Sequence, residues 1–215
     1  MTHIYAIRHG QVDGLKPGIN GSIVPDSGLS LKGVTQAERL RDRLMSTGEI
    51  QADVLISSPL NRAKETAEII APALGLPMLI DDGVQEFCLG ETEGLTEAEI
   101  QSQFGLVKLY DEPFRPVSPN GDSLAQFVTR TCEAIDRLTR QYEGQTMVIV
   151  CHGGVIIAMF AYFMGLNMLQ PLPIVFDFGN TSITHWFHGH SDGWAGPAMR
   201  WHLKRYNDYA HLQDS

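Results

Sequence analysis

The most apolar stretch of this 215-residue chain, Met147 to Leu166, is interrupted by His152-Gly153-Gly154. A helix that spans a membrane needs about 20 uninterrupted apolar residues. The interruption points instead to a buried strand, a tight glycine turn and a buried helix. A strand that is apolar along its whole length must be covered on both faces, as a central strand of a parallel sheet is. This one segment already favours a sheet held between two helical layers.

The same alternation runs through the rest of the chain and predicts an α/β fold. His3–Ile7, Asp53–Ser57 and Pro77–Ile80 read as further strands. Ser30 is placed to cap a helix carrying Leu31, Val34, Leu40 and Leu44 on one side. Ser58 and Pro59 suit the N-cap and first position of a second helix, striped by Leu60, Ala63, Ala67, Ile70 and Leu74, with Pro72 expected to end or kink it early. Thr96 with Glu99 predicts a capping box on a short helix, and residues 122–142 a long amphipathic one. Ser182–Phe187 and Ala198–Leu203 look like an antiparallel edge. The expectation is one domain over residues 1–215: three layers, with a mostly parallel central sheet flanked by helices. The Gly10–Gly28 stretch is longer than most connections, and such loops tend to carry function.

Composition narrows the function. A net charge of -9 supplies no basic stripe for nucleic acid or an anionic membrane. The three cysteines, Cys88, Cys132 and Cys151, are widely spaced and odd in number, which suggests neither a disulfide framework nor a zinc site. With no apolar leader at the N-terminus, a cytoplasmic setting is the expectation. An acidic chain that handles an anion must concentrate its positive charge locally.

Four strand ends carry polar residues, two of them arginine-bearing. Arg8-His9 closes the first strand, Arg62 follows the second, Glu86 the third, and His152 the Met147–Cys151 strand. In open α/β sheets this edge is where ligands bind. Gly10 is expected to let the backbone turn sharply and expose the His9 imidazole, a potential nucleophile. Arg8 brings a planar fork suited to phosphate oxygens, and the first-turn Arg62 leans back toward the same edge. Gly153 and Gly154 are expected to open a helix N-terminus to an anion. Glu86, Glu91 and Glu93 all compete for the role of proton donor to a leaving alkoxide. The triple His185, His188 and His190 invites a metal reading, but without an acidic partner it is read as surface histidines. Trp186, Trp194 and Trp201 are read as edge-strand packing.

The set of motifs resembles the histidine phosphatase superfamily, also called the phosphoglycerate mutase-like family. The matching strings are Arg8-His9-Gly10, Ser57-Ser58-Pro59-Leu60-Asn61-Arg62-Ala63, Gln85-Glu86 before Leu89-Gly90, Asn120-Gly121-Asp122-Ser123, Cys151-His152-Gly153-Gly154, Asn180-Thr181-Ser182 and Arg205-Tyr206-Asn207-Asp208. They span nearly the whole chain in the family's order. The resemblance implies a phosphoglycerate mutase-like fold and phosphorylation of His9. Arg8, Arg62 and His152 would hold the phosphoryl group, and Glu86, chosen from the three glutamates, would be the proton donor. Gly10, Gln11, Asn20 and Gly153 join the expected substrate-binding set. No cofactor or metal is implied, and the expected partner is a small phosphorylated substrate or inorganic phosphate.

The chain also departs from the family pattern. Many relatives carry Arg-His-Gly-Glu-Thr-x-x-Asn, whereas here Gln11 replaces the glutamate and Leu15 the asparagine, leaving Asn20 as the candidate substitute. Cys151 stands where serine or threonine is common and is expected to be an inert thiol. Mutases of the family usually carry an arginine pair before the long helix. Residues 104–118 here offer only Lys108 and Arg115, which favours a histidine acid-type phosphatase, a phosphoric monoester hydrolase. The alternatives are a mutase-type isomerase and a weakly active phosphate-binding scaffold; oligomeric state stays open.

Overall fold

The computed structural model describes residues 1–13, 28–192 and 196–213. Asn20, Leu15 and Trp194, and with them most of the Gly10–Gly28 loop, lie outside the described residues. The strands are β1 (Thr2–Arg8), β2 (Val54–Ser57), β3 (Met78–Ile80), β4 (Thr146–Cys151), β5 (Ile183–Ser191) and β6 (Ala198–Asp208). They form one sheet in the order β3-β2-β4-β1-β5-β6. The β3-β2-β4-β1 half is parallel, while β5 and β6 add antiparallel to its β1 side. The apolar strand from Met147 is thus central, as expected, and the two C-terminal strands are the expected antiparallel edge, longer than the sequence suggested.

Five α-helices among the described residues cover the sheet: α1 (Leu31–Thr47), α2 (Asn61–Leu74), α3 (Glu97–Gln103), α4 (Leu124–Gln141) and α5 (Gly153–Met164). Leu40 and Leu44 of α1 and Ala63, Ala67 and Ile70 of α2 pack on one face, against Ile7, Leu55 and Val148. Phe127 and Ile135 of α4 and Val155, Met159 and Phe160 of α5 pack on the other, against Ile4, Ile56 and Ile149. Alternate residues of β1, β2 and β4 feed the two cores, as a period of two requires. Trp186 is buried in the second core, and Trp201 packs against it.

Local chemistry explains most boundaries. The Ser30 hydroxyl accepts the Gly33 N–H at 3.0 Å, and α3 and α4 each open with a full capping box, Thr96/Glu99 and Ser123/Gln126. Two expectations need correction. Ser58 is not the cap of α2, which begins at Asn61 after an extended Leu60. The Ser58 hydroxyl is instead 2.7 Å from His152 Nε2 and accepts the Leu60 N–H at 3.3 Å, so it turns the chain ahead of the helix while reaching across to β4's end. Nor does Pro72 end α2, which continues to Leu74 and closes at the left-handed Gly75. Pro72 falls in the last turn, so only one bond near the helix end is lost, and the buried Ala63, Ala67 and Ile70 stripe lies ahead of it.

No helix among the described residues is long and apolar enough to cross a membrane. The Met147–Leu166 stretch is β4, the His152 turn and α5.

Candidate active site

The four strand ends converge on one side of the sheet. β1 and β4 are neighbours, with Arg8 opposite Cys151, so His9 and His152 leave the sheet side by side. Their rings lie 5.1 Å apart between centroids. His9 is 5% exposed, Arg62 4% and His152 0%.

His9 Nδ1 lies 2.7 Å from the Gly10 carbonyl oxygen. A carbonyl can only accept, so Nδ1 carries the proton and Nε2 keeps its lone pair. Burial, then the neighbouring Arg62 and Arg8 guanidinium groups, lower the His9 pKa to about 3, against the Gly10 hydrogen bond. The imidazole is therefore neutral throughout the physiological range. Burial also holds His152 well below the usual histidine range, reinforced by His9, Arg62 and Arg8.

The backbone around His9 is fixed from three directions. Its N–H donates to the Cys151 carbonyl at 3.0 Å, and its carbonyl accepts from Asn180 Nδ2 at 2.9 Å. The buried Thr66 accepts the Gly10 N–H at 3.0 Å and donates to the Arg62 carbonyl at 2.7 Å, tying the β1 end to α2. Gly10 is not a left-handed turn glycine. A Cβ there would sit 2.6 Å from the Gly33 carbonyl oxygen, so it is a close approach to α1 that requires glycine, correcting the sharp-turn reading.

Arg8 donates through one terminal nitrogen to the Phe178 carbonyl, while its buried Nε has no partner. His152 Nδ1 is likewise buried and unpartnered. Buried polar atoms left unsatisfied are costly, and these two stand with a neutral imidazole and two guanidinium groups, a set suited to an anion.

Glu86 also reaches this edge, by a route the glycines were not expected to serve. Its Oε2 accepts the Gly154 N–H at 3.0 Å, and its Oε1 accepts the Phe87 N–H at 3.0 Å. A Cβ at Gly154 would lie 2.3 Å from Oε1. The glycine thus makes room for a carboxylate of the protein at the N-terminus of α5, not only for a ligand. Glu91 and Glu93 stay outside this arrangement: Glu91 accepts from Asn120 Nδ2 at 3.3 Å, and Glu93 only closes a backbone turn on Gly90.

Sequence reasoning missed several contributors. Thr66, Phe178 and Arg130 left no local signal. Ser58, Asn180 and Asp122 lay in noted motifs, but their contacts depend on packing. Burial pushes the Cys151 thiol far up, as an inert buried thiol requires. His185 pairs with His3, at 2.9 Å between Nδ1 of His3 and Nε2 of His185, and His190 with Asp192. Among the described residues no group of three or more His, Cys, Asp or Glu side chains is placed to hold a metal ion.

An α/β sheet with an arginine-flanked histidine at its ligand-binding edge defines a phosphate-handling class of protein. The model of the histidine phosphatase superfamily (branch 1) matches residues 4–201, and the chain belongs to that family. It is 32% identical over 170 residues to phosphoglycerate mutase-like protein 4 of Arabidopsis thaliana, covering 74% of this chain and 70% of that one. It superposes on a histidine-to-alanine mutant of phosphoserine phosphatase from Entamoeba histolytica, in complex with phosphoserine, with a TM-score of 0.72 and 25% identity over 99% of this chain and 100% of that one. A mycobacterial glucosyl-3-phosphoglycerate phosphatase gives a TM-score of 0.71 at 26% identity, covering 95% of this chain and 98% of that one.

Proposed function

We propose that this chain is a single-domain, metal-independent phosphomonoesterase acting on a small phosphorylated metabolite through a phosphohistidine at His9. The observation that carries this reading is the His9 imidazole, held neutral with Nδ1 protonated toward Gly10 and Nε2 open beside Arg8, Arg62 and His152. Phosphoryl transfer asks mainly for positioning and positive charge on the equatorial oxygens. Arg8 and Arg62 supply that charge, and the unpartnered Arg8 Nε and His152 Nδ1 supply donors or a polar contact in the same set.

In the first step the Nε2 lone pair forms a bond to phosphorus and the ester P–O bond breaks. The leaving oxygen takes the proton of the Glu86 carboxyl. In the second step water attacks phosphorus, the P–N bond breaks, and the Glu86 carboxylate takes the water's proton. Inorganic phosphate leaves, and both His9 and Glu86 return to their starting states. Gly10, Gln11, Gly153 and Asn20 complete the proposed substrate-binding set on the strength of the sequence motifs.

A mutase-type reading uses the same chemistry, and the names of two relatives favour it. Against it, Lys108 pairs with Asp111 and Arg115 with Glu112, so both cations of the 104–118 segment are engaged by their own neighbours. The test is p-nitrophenyl phosphate turnover in EDTA by wild type and His9→Ala. Wild-type turnover is expected to survive chelation and to fall by roughly 10⁴-fold or more in the variant. Loss with EDTA, or a fully active His9→Ala, defeats the proposal. Faster interconversion of 3- and 2-phosphoglycerate than hydrolysis of either makes it a mutase.

A further inference from the structure

Glu86 sits between the third strand and α3, in the short irregular stretch that separates two single 3-10 turns, Asp82–Val84 and Gly90–Thr92. Something outside the segment has to hold it. Arg130 projects from α4 across to this chain: NH1 donates to the Gln85 carbonyl at 2.8 Å and to the Asp82 carbonyl at 3.3 Å, and NH2 to the Glu86 carbonyl at 3.4 Å. NH2 also donates to Asp122 Oδ2 at 2.9 Å. The same Asp122 oxygen accepts the Cys88 N–H at 2.9 Å, and the Asp122 N–H donates to the Cys88 carbonyl at 2.8 Å. The guanidinium lies 5.5 Å from the centroid of Phe127, which packs in turn on Phe87.

These contacts bracket Glu86: the carbonyls of 82 and 85 before it, its own carbonyl, and the N–H and carbonyl of 88 after it. We propose that Arg130 and Asp122 are positioning residues for the reaction, a buckle on α4 that sets the Glu86 carboxyl at the α5 N-terminus so that it can protonate the leaving oxygen. The rationale is geometric. A carboxyl on an unsupported loop has many rotamers and backbone states, and proton transfer needs it within hydrogen-bond reach of one oxygen. Only a planar, multiply donating guanidinium can span two successive carbonyls and a carboxylate at once; a lysine ammonium can hold one end. The Arg130 charge also reaches the pocket, where it adds to the forces keeping His152 neutral.

This inference rests on the phosphohistidine reading, and its test separates the two. The loss on removing a proton donor depends on how badly the leaving group needs a proton. Arg130→Ala and Asp122→Asn are therefore assayed beside Glu86→Gln on an alkyl phosphate, such as glycerol 2-phosphate, and on p-nitrophenyl phosphate. The buckle predicts that kcat/KM for the alkyl ester, which reports formation of the phosphohistidine and not the later hydrolysis that Glu86 also serves, falls up to about 100-fold in Arg130→Ala, the scale of a misplaced catalytic group. The nitrophenyl ester, whose anion leaves without a proton, is expected to lose far less in kcat/KM. Arg130→Lys is expected to recover only part of the difference. In the Glu86→Gln background, Arg130→Ala is expected to add no further loss on the alkyl ester.

Equal losses on both esters, or additive losses in the double variant, overturn the proposal and leave Arg130 a packing residue. If Arg130→Ala fails to fold, Arg130→Lys and Asp122→Asn carry the same comparison. A His9→Ala variant that stays active defeats the phosphohistidine reading itself, whatever Arg130 does.

Discussion

Strand β1 carries a histidine pair at each end of its length, and the two pairs differ in ways that separate a reactive site from packing. Near its start, His3 meets His185 at 2.9 Å, nitrogen to nitrogen, with Tyr5 stacked 3.9 Å from the His185 ring and Phe187 4.8 Å from His3. Just past its end, His9 and His152 stand 5.1 Å apart without bonding each other, among Arg8, Arg62 and unfilled polar atoms. All four imidazoles are pushed toward neutrality by burial, His185 to about 4 and His9 to about 3. A depressed histidine therefore does not mark a site. What marks it is a buried guanidinium together with unmet hydrogen-bonding capacity: Arg62 is 4% exposed, whereas the cations near the first pair are the exposed Lys204 and the half-buried Arg205, and the two histidines of that pair bond each other.

Removing the cation should break the comparison most sharply. Arg62→Ala is expected to lower kcat/KM by roughly 10²–10³-fold, the range for deleting one transition-state charge donor. His3→Phe, at the packing pair, is expected to change it less than about 3-fold, with any effect appearing in stability. Similar losses in both would erase the distinction. Next in size, Gly154→Ala places a Cβ 2.3 Å from Glu86 Oε1 and must displace the carboxyl. Its kcat on alkyl phosphates should fall by up to about 100-fold, and wild-type kcat from this variant would mean that Glu86 does not act from where it sits.

Inorganic phosphate gives a thermodynamic version of the same contrast. At about 100 times its dissociation constant it should stabilise the wild type by about 2.7 kcal/mol. Thermal unfolding should register that shift in His3→Phe and not in Arg62→Ala. The smallest effect is on acid stability. Folded His9 stays neutral down to about pH 3, whereas the unfolded residue takes a proton near its ordinary 6.5. Its contribution is thus complete above pH 6.5 and is lost as pH falls toward 3. Each such buried histidine steepens the decline by up to about 1.4 kcal/mol per pH unit in that window. Denaturation between pH 7 and 4 should show a shallower slope in His9→Phe; the same slope would place His9 in contact with water.

Much of this molecule is written locally. The alternation of apolar strands and striped helices, the capping box at Thr96, and the polar residues at the strand ends follow from periodicity and short-range chemistry, and they made the α/β class and the candidates Arg8, His9, Arg62 and His152 readable along the chain, whereas Glu86 was separated from Glu91 and Glu93 only by the family resemblance. Ser58 was legible as a cap only because its competing partner, His152, lies 94 residues away and leaves no trace nearby. Gly10 reads as a turn glycine until α1 is seen to pass over it, and Gly154 as a ligand's doorway until Glu86 is seen to fill it.

The sequence by itself determined which residue types stand at which strand ends, because strands and helices obey a repeat that a few neighbouring residues impose. The tertiary structure alone decided which nitrogen of His9 is free, which polar atoms go unmet, and that Arg130 and Asp122 hold the Glu86 segment. Those facts depend on distances between residues far apart in the chain, and no local pattern encodes a distance across a core.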